Sequence, residues 1–227
     1  DKSMAASPIV QTRQRHSPNA LNIYYTYDHR GRLLNTEYAV DGYYDYDEPR
    51  TIVSANVYNE AGLLKTKYLH SQDGQEFMQK IDYKYNIRGW LTAINEPVSE
   101  FTGGDRFGMR LWYNKKPDGS AGLYNGNIAA TAWSTPNYKN LNYAFTYNPL
   151  NRLTQALFSG EGFSANSFKV NYNYDANGNI KILQRFGLAN SQAIDSITYG
   201  YVPGTNRLQY SSDPMGMPRT LTILSGL

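Results

Sequence analysis

Large apolar and polar side chains alternate along short stretches of this chain, and each stretch ends at the same kind of turn. In each one a tyrosine precedes Asp or Asn, a glycine follows, and an apolar residue comes two positions later. Alternation with a period of two residues is typical of a β-strand with one packed face. The pattern therefore predicts β-hairpins. Its clearest copies are Tyr27-Asp28-His29-Arg30-Gly31-Arg32-Leu33, Tyr85-Asn86-Ile87-Arg88-Gly89-Trp90-Leu91 and Tyr174-Asp175-Ala176-Asn177-Gly178-Asn179-Ile180.

The tyrosine before the turn recurs at nearly constant spacing. It falls at Tyr27, Tyr58, Tyr85, Tyr113, Tyr147, Tyr174 and Tyr201, so the successive spacings are 31, 27, 28, 34, 27 and 27 residues. Self-similarity at one period indicates a small unit that is stacked several times. We therefore predict seven hairpin units, and we call these seven residues the repeat tyrosines.

The residues after each repeat tyrosine have the chemistry of a tight turn. Asp and Asn side chains bond to the backbone at the start of a turn, whereas Gly and Asn tolerate positive φ. The first position holds Asp28, Asn59, Asn86, Asn114, Asn148, Asp175 and, as the one exception, Val202. The second holds Gly31, Gly62, Gly89, Asn151 and Gly178, and the last unit delays it to Asn206. Return strands are predicted to start near Leu33, Leu64, Leu91, Leu153, Ile180 and Leu208.

The repeat divides the chain into a lead-in and an array. Residues 1–20 lack the pattern and are predicted to be partly irregular, whereas residues 21–227 form the hairpin array. Insertions near 41–49 and 114–126 predict long loops. A single hairpin is only marginally stable, so neighbouring hairpins must pair. The predicted fold is all-β: repeated β-hairpins that form a curved, spiralling antiparallel sheet, an open arc.

The composition agrees with this fold and limits the classes of partner that the chain is expected to bind. The 227 residues include 21 tyrosines, whose rings suit a half-buried strand surface and whose hydroxyls can reach a partner. The net charge of +3 is small and scattered, so we expect no nucleic-acid partner. No apolar run is long enough to span a membrane, and no signal peptide is visible. The absence of cysteine excludes disulfides and thiolate metal sites.

Groups suited to catalysis are sparse. The three histidines, His16, His29 and His70, have no metal-ligand spacing, and no nucleotide-binding motif is present. Asp28 and Asp175 are exchanged for Asn in other units, which favours a turn-forming role over acid–base work. We therefore predict a non-enzymatic protein without metal or cofactor. A hydrolase would rest on the scattered acids alone.

The loop at 41–49 is the strongest candidate for ligand binding. It places Tyr43, Tyr44 and Tyr46 beside Asp45 and Asp47, so its rings could stack on a sugar. The acids lack the ordered spacing and the bidentate Glu of a calcium loop. An ordinary solvated loop is the alternative interpretation.

The stretches YTYDHRGRL, YKYNIRGWL, FTYNPLNRL and YNYDANGNI resemble the YD repeat of bacterial Rhs proteins, teneurins and the B and C components of insecticidal toxin complexes. The resemblance covers the chain from about Tyr24 to Leu208. It implies a secreted or cell-surface protein whose hairpins spiral into a hollow shell around a C-terminal toxin or other cargo. Seven hairpins are fewer than a closed shell needs, which suggests a segment. The family's autoproteolytic motif is similar only to Asp213-Pro214-Met215-Gly216, which we interpret as an ordinary turn.

Two functions follow as hypotheses. The first is a structural module, a segment of an Rhs-like shell whose partners are the remaining repeats or the cargo of a longer polypeptide. The second is a cell-surface module that binds carbohydrate or a partner protein through its long loops, with glycans as ligands. The repeat itself motivates the first, and the exposed loop tyrosines motivate the second.

Overall fold

The chain divides into two compact units, residues 1–108 and residues 109–227. The computed structural model of the chain describes residues 7–14, 21–40, 50–96, 105–120, 122–188, 193–215 and 221–222. These residues form strands joined by turns and loops, and they contain no helix. The prediction of an all-β fold is confirmed.

Unit 1 is a series of antiparallel strands in which each strand pairs with the next one along the chain. Strands β1 and β7 do not pair with each other among the described residues, so this sheet stays open. The strands are β1 (Ser7–Gln14), β2 (Leu21–Tyr27), β3 (Leu33–Val40), β4 (Thr51–Tyr58), β5 (Leu64–Ser71), β6 (Gln79–Tyr85) and β7 (Leu91–Ile94).

Unit 2 has the same sequential arrangement. From β9 onward, each strand pairs antiparallel with its successor. The strands are β8 (Gly108–Trp112), which starts at the last residue of unit 1, β9 (Ala130–Ser134), β10 (Leu141–Tyr147), β11 (Leu153–Ser159), β12 (Val170–Tyr174), β13 (Ile180–Phe186), β14 (Ala193–Tyr201), β15 (Leu208–Ser212) and β16 (Leu221–Thr222).

A one-residue register shift recurs where each hairpin meets its turn. In the β2–β3 hairpin Thr26 is opposite Asn35, but Tyr27 is opposite Leu33, so Leu34 is an extra residue on the return strand. The same shift occurs at Tyr58, Tyr85, Tyr147, Tyr174 and Tyr201. A bulge of this kind increases the local twist of the strands. Each repeat tyrosine of these hairpins is the last residue of its strand.

The lead-in contributes an edge strand. Within the predicted lead-in, β1 pairs with β2 from Gln14 opposite Leu21 to Val10 opposite Tyr25. The ladder then becomes irregular between Ser7 and Val10. Pairing with β1 covers the edge of β2 that would otherwise expose unpaired backbone groups.

The buried positions hold mostly small side chains. In unit 1 the buried apolar residues that are described are Ala39 and Ala93. In unit 2 they include a run of alanines and two larger residues, Leu141 and Phe158. Most aromatic rings are half-buried on the sheet faces. The hairpins are therefore held together by edge-to-edge bonding and ring contacts more than by a thick core.

Candidate functional site

The repeated turn is built from two backbone hydrogen bonds. In the first unit Asp28 N donates to Arg32 O at 2.9 Å, and Gly31 N donates to Asp28 O at 3.0 Å. Gly31 has a φ of 75°, which places it in the left-handed region that glycine tolerates. Asn151 holds this position in its own unit with a φ of 61°. The same two bonds form at the turns that begin at Asn59, Asn86, Asn148 and Asp175.

In each of these turns, a side-chain oxygen of the first turn residue accepts backbone hydrogen bonds from residues that follow it. Oδ1 of Asn86 accepts hydrogen bonds from Arg88 N at 2.9 Å and from Trp90 N at 3.0 Å. The bond to the fourth residue along recurs at Asp28, Asn59, Asn148 and Asp175. An oxygen with this role is common to Asn and Asp, so the turn accepts both residues.

The two aspartates add charge to this arrangement. Partial burial opposes ionisation of Asp28, but hydrogen bonds from the backbone and guanidinium of Arg32 outweigh it and lower the pKa to about 2. Asp175 has a lowered pKa because the Asn179 side chain donates to its carboxylate, a bond that outweighs burial. Both carboxylates are consumed in turn formation, so neither is poised as a general acid or base.

The repeat tyrosines join one hairpin to the hairpin before it. Tyr58 Oη donates to Leu33 O at 2.8 Å, and Leu33 is the first residue of the preceding return strand. Five such bonds, which we call the tyrosine staples, are described: Tyr58 to Leu33, Tyr85 to Leu64, Tyr147 to Ile128, Tyr174 to Leu153 and Tyr201 to Ile180, all between 2.7 and 2.9 Å. The staples lie within unit 1 or within unit 2.

The staples occupy a partly desolvated environment. Burial raises the pKa of Tyr58, Tyr85, Tyr147, Tyr174 and Tyr201. Tyr172 lies two positions upstream of Tyr174 on the same face, and the two rings stack with centroids 6.4 Å apart. A raised pKa keeps each phenol protonated, which is the form that can donate to a carbonyl.

Two arginines extend the contact between turns. The Arg32 guanidinium lies 4.6 Å from the Tyr58 ring centroid, and that of Arg152 lies 4.8 Å from the Tyr174 centroid. Arg152 Nη1 also donates to Asp175 O at 3.0 Å. Neither arginine stands out in the sequence as a functional residue. Their common position, five residues after a repeat tyrosine, was the available signal.

The last turn differs from the prediction. The left-handed residue is Gly204, with a φ of 72°, and not Asn206. The turn is one residue longer, since Val202 N donates to Arg207 O. Asn206 instead accepts hydrogen bonds at Oδ1 from the side chains of Asn177 and Asn179 in the preceding turn. An asparagine can hold the left-handed position or accept hydrogen bonds from a neighbouring turn, and the sequence does not distinguish these two roles.

The enlarged turn of the fourth unit is an ordered extension. Leu123 N donates to Tyr113 O and Gly122 N donates to Asn114 O, so the strand pair continues beyond the repeat tyrosine. A Cβ on Gly122 would lie 1.9 Å from Tyr113 O, so only glycine fits this approach. A turn with the repeated bonding pattern then forms from Lys116 to Ser120. The turn has moved outward from Asn114 to Lys116.

An aromatic cluster in unit 2 was absent from the sequence predictions. Phe158 is 5% exposed and contacts Tyr143, Phe163 and Phe168 edge to face, with ring centroids 5.2 to 5.4 Å apart. Phe168 has a φ of 51°, an unusual value for a bulky residue. Tyr143 Oη donates to its carbonyl at 3.0 Å, which holds this loop against the sheet.

The other candidate residues divide between described and undescribed parts of the chain. Tyr43, Tyr44, Tyr46, Asp45 and Asp47 lie outside the described residues, as does His16. Among the residues that the structure describes, no group of three His, Asp or Glu side chains is arranged for a metal ion. Among the described residues, no helix is long and apolar enough to cross a membrane.

His29 and Asp213 both lie in turns. His29 is an exposed residue at the tip of the first hairpin turn. The Asp213 carboxylate accepts hydrogen bonds from Ser196 N at 2.9 Å and Met215 N at 3.1 Å. An aspartate that bonds to the amide two residues ahead is typical of a turn.

Comparison with known proteins gives distant structural likenesses. No family model and no curated protein matches the chain. The crystal structure of TcdB2-TccC3-TEV is similar with a TM-score of 0.38 and 12% identity, over 91% of this chain and 13% of that one. The Photorhabdus luminescens Tc holotoxin pore gives 0.37 and 14%, over 86% and 12%. A porin-like protein from Bacteroides uniformis gives 0.29 and 10%, over 93% and 91%.

The chain therefore spans about an eighth of the toxin-complex chains that it resembles, 13% and 12% of their lengths. Likeness at this level leaves function to be argued from the repeat itself.

Proposed function

We propose that this chain is a non-enzymatic structural module, a segment of an Rhs-like β shell that encloses or presents a cargo polypeptide. The tyrosine staple carries the proposal, because the same hydroxyl-to-carbonyl bond fastens successive hairpins in both units. A bond that recurs between successive hairpins would build an extended wall whose length is set by the number of hairpins.

The polar groups of the repeat support a structural role. The Asn and Asp oxygens close turns, the tyrosine hydroxyls bind carbonyls, and Arg152 bonds to the next turn. Groups committed in this way are unavailable for proton transfer or nucleophilic attack. The resemblance of the turn sequences to the YD repeat adds the expectation of a secreted or cell-surface protein.

The partners in this proposal are further repeats and a cargo segment of a longer polypeptide. Open strand edges readily accept another strand, so additional hairpins could extend such a sheet by backbone pairing. A wall of hairpins excludes proteases from what it surrounds, which gives the proposal a direct experimental test.

The test uses the complete native polypeptide that contains this chain. Limited proteolysis followed by mass spectrometry should find a segment outside the repeats that resists cleavage. In the double variant Tyr85→Phe/Tyr174→Phe, which keeps both rings but removes two staples, that segment should be cut faster. Tyr138→Phe is the matched control, because the structure gives the exposed Tyr138 hydroxyl no hydrogen bond within the described residues.

Two results would overturn the proposal. One is a native polypeptide in which all segments outside the repeats are cut as fast as the same segments in urea. The other is hydrolytic activity of the purified chain that is lost on substitution of a turn aspartate.

A further inference from the structure

A cavity lies where the chain passes from β5 to β6 in unit 1. Its volume is about 340 Å³, which is within the range of small-ligand sites. Residues 70–73 and 76–78 form its wall, so it is built from the end of β5 and the loop that follows. The cavity therefore belongs to unit 1 alone and lies apart from the repeated turns and the tyrosine staples.

The wall combines an anionic part with an apolar part. Asp73 and Glu76 supply two carboxylates, whereas Phe77 and Met78 supply an aromatic ring and a thioether. No lysine or arginine is among the lining residues. Both acids are exposed, and neither forms an ion pair with another described residue. Their charge is therefore available to a cation that enters the cavity.

Hydrogen bonds hold the Asp73 carboxylate in place. Its Oδ1 accepts from Ser71 Oγ at 3.0 Å and from the backbone N–H groups of Gln75 and Glu76 at 2.9 and 3.0 Å. Ser71 is 1% exposed, and its Oγ accepts from Gly74 N at 2.9 Å. The two backbone hydrogen bonds lower the pKa of Asp73, so this carboxylate is ionised at neutral pH. All of these bonds use Oδ1, which leaves the lone pairs of Oδ2 for a ligand.

The apolar part of the wall is also fixed. The Phe77 ring packs against Tyr68 of β5 with centroids 4.9 Å apart. Met78 N donates to His70 O at 3.0 Å, which closes the loop at the base of the cavity. An aromatic ring beside ionised carboxylates favours an organic cation, because the ring attracts positive charge and also packs against alkyl groups.

A metal ion fits these residues less well. Calcium takes six to eight oxygen ligands, whereas the cavity wall offers two carboxylates. In the part of the chain that the structure describes, no three His, Asp or Glu side chains are arranged to share a metal ion. The ligand chemistry is therefore that of a soft, singly charged cation with apolar substituents.

We propose that this cavity binds a small organic ammonium ion. The carboxylates of Asp73 and Glu76 balance its charge, and Phe77 and Met78 contact its alkyl groups. Binding here is separate from the proposed shell role, since no staple residue lines the cavity.

Choline and its uncharged carbon isostere, dimethylbutanol, are the two probes. Each is titrated into the full chain at constant ionic strength, and the backbone amide signals of residues 70–78 are followed by NMR. Choline should produce a saturable change in these signals. It should bind about fivefold more tightly than dimethylbutanol or better, because only the charged probe pairs with the two carboxylates.

Three variants assign the effect to the cavity. Asp73→Asn keeps the Oδ1 acceptor that holds the loop but removes the charge, and Glu76→Gln removes the second charge. Each should weaken choline binding about fivefold and leave dimethylbutanol unaffected. Glu161→Gln is the matched control, because Glu161 is an exposed acid of unit 2 that does not line the cavity.

Three results would overturn the proposal. The first is the absence of a saturable change with choline at residues 70–78, and the second is equal affinity for the two probes. The third is choline affinity in Glu76→Gln that equals the affinity in Glu161→Gln. The Glu76 side chain makes none of the loop hydrogen bonds described above, so this last comparison holds even if Asp73→Asn disturbs the loop.

Discussion

Asn and Asp alternate at the turn because its hydrogen bonds use an oxygen that both side chains possess. In Asn86 that oxygen receives two backbone N–H groups, and in Asp28 it receives the equivalent pair. The second heteroatom of the side chain is free to vary. It is an amide nitrogen in one residue and an oxygen that binds Arg32 in the other.

Substitution of Asn86 tests this account of the turn. We expect Asn86→Ala to lower the free energy of unfolding by about 1–2 kcal/mol, since two backbone donors lose their acceptor. Asn86→Asp keeps the acceptor and should change stability by less than half of that amount at neutral pH. Urea denaturation of the three proteins gives the comparison, and equal losses in both variants would contradict it.

Acid should weaken the turn at Asp28 in a predictable range. Its pKa falls from 3.8 to about 2 on folding, so its contribution to stability is complete above pH 3.8 and is lost as the pH falls towards 2. The Asp28→Asn variant should show a smaller loss of stability over that range. The measurement is the free energy of unfolding as a function of pH. Parallel curves for the two proteins would exclude a role for the carboxylate charge.

At the scale of the hairpin, the turn forms from residues that are close in sequence. The staple then connects this hairpin to the one that precedes it in the chain. The strand pair and the turn depend on alternation and on residues that tolerate positive φ, and both can be predicted from the amino-acid sequence. The staple depends on which carbonyl a hydroxyl meets across strands. The strand register sets that partner, so the sequence alone does not identify Leu153 O as the acceptor.

A residue can be assigned a structure from the sequence when few residue types tolerate its backbone conformation, and it cannot when its role depends on a distant contact. Gly178 and Asn151 can be placed in turns because few residues tolerate positive φ. The exchange of roles between Gly204 and Asn206 could not be foreseen, since either residue can take such a φ. The loop around Phe168 was likewise invisible, because its aromatic contacts join segments without a periodic pattern.

The left-handed position provides a graded test within one hairpin. Gly178 has a φ of 94°, so Gly178→Ala should destabilise the chain by about 1–2 kcal/mol. Gly178→Asn should cost less, because Asn151 already occupies the equivalent position in another turn. Thermal or urea unfolding distinguishes them. A larger loss in the Asn variant would contradict the equivalence of the two turns.

Removal of a single staple should have a measurable cost. Tyr174→Phe keeps the ring but deletes the hydroxyl that donates to Leu153 O at 2.7 Å, so we expect a loss of about 1 kcal/mol in unfolding free energy. Tyr138→Phe, which also deletes one hydroxyl, should have little effect. Equal losses in the two variants would show that the staple contributes nothing specific.

For the whole molecule, the staples add up to a shared sensitivity to alkali. Burial raises the pKa of the stapled tyrosines, so their protonated form is favoured by the folded state. The stability that they contribute is complete below the ordinary tyrosine pKa of 10.0 and is lost as the pH rises through the folded values.

Absorbance titration of tyrosinate measures this effect. In the folded chain, the stapled tyrosines should ionise above the ordinary range and together with unfolding, whereas in urea all tyrosines should titrate near 10.0. Ionisation of all tyrosines at the ordinary value with the fold retained would show that the hydroxyl bonds contribute little to stability.

The direction of the staple gives the chain an order of assembly. In each described case the donor belongs to the later hairpin and the acceptor to the earlier one, as with Tyr85 and Leu64. During synthesis the acceptor strand has therefore emerged from the ribosome before the tyrosine that will bind it. Each new hairpin can close its own turn and then fasten onto a finished neighbour. Pairing of each new hairpin with the sheet can thus keep pace with translation, one hairpin after another, without waiting for the distant end of the polypeptide.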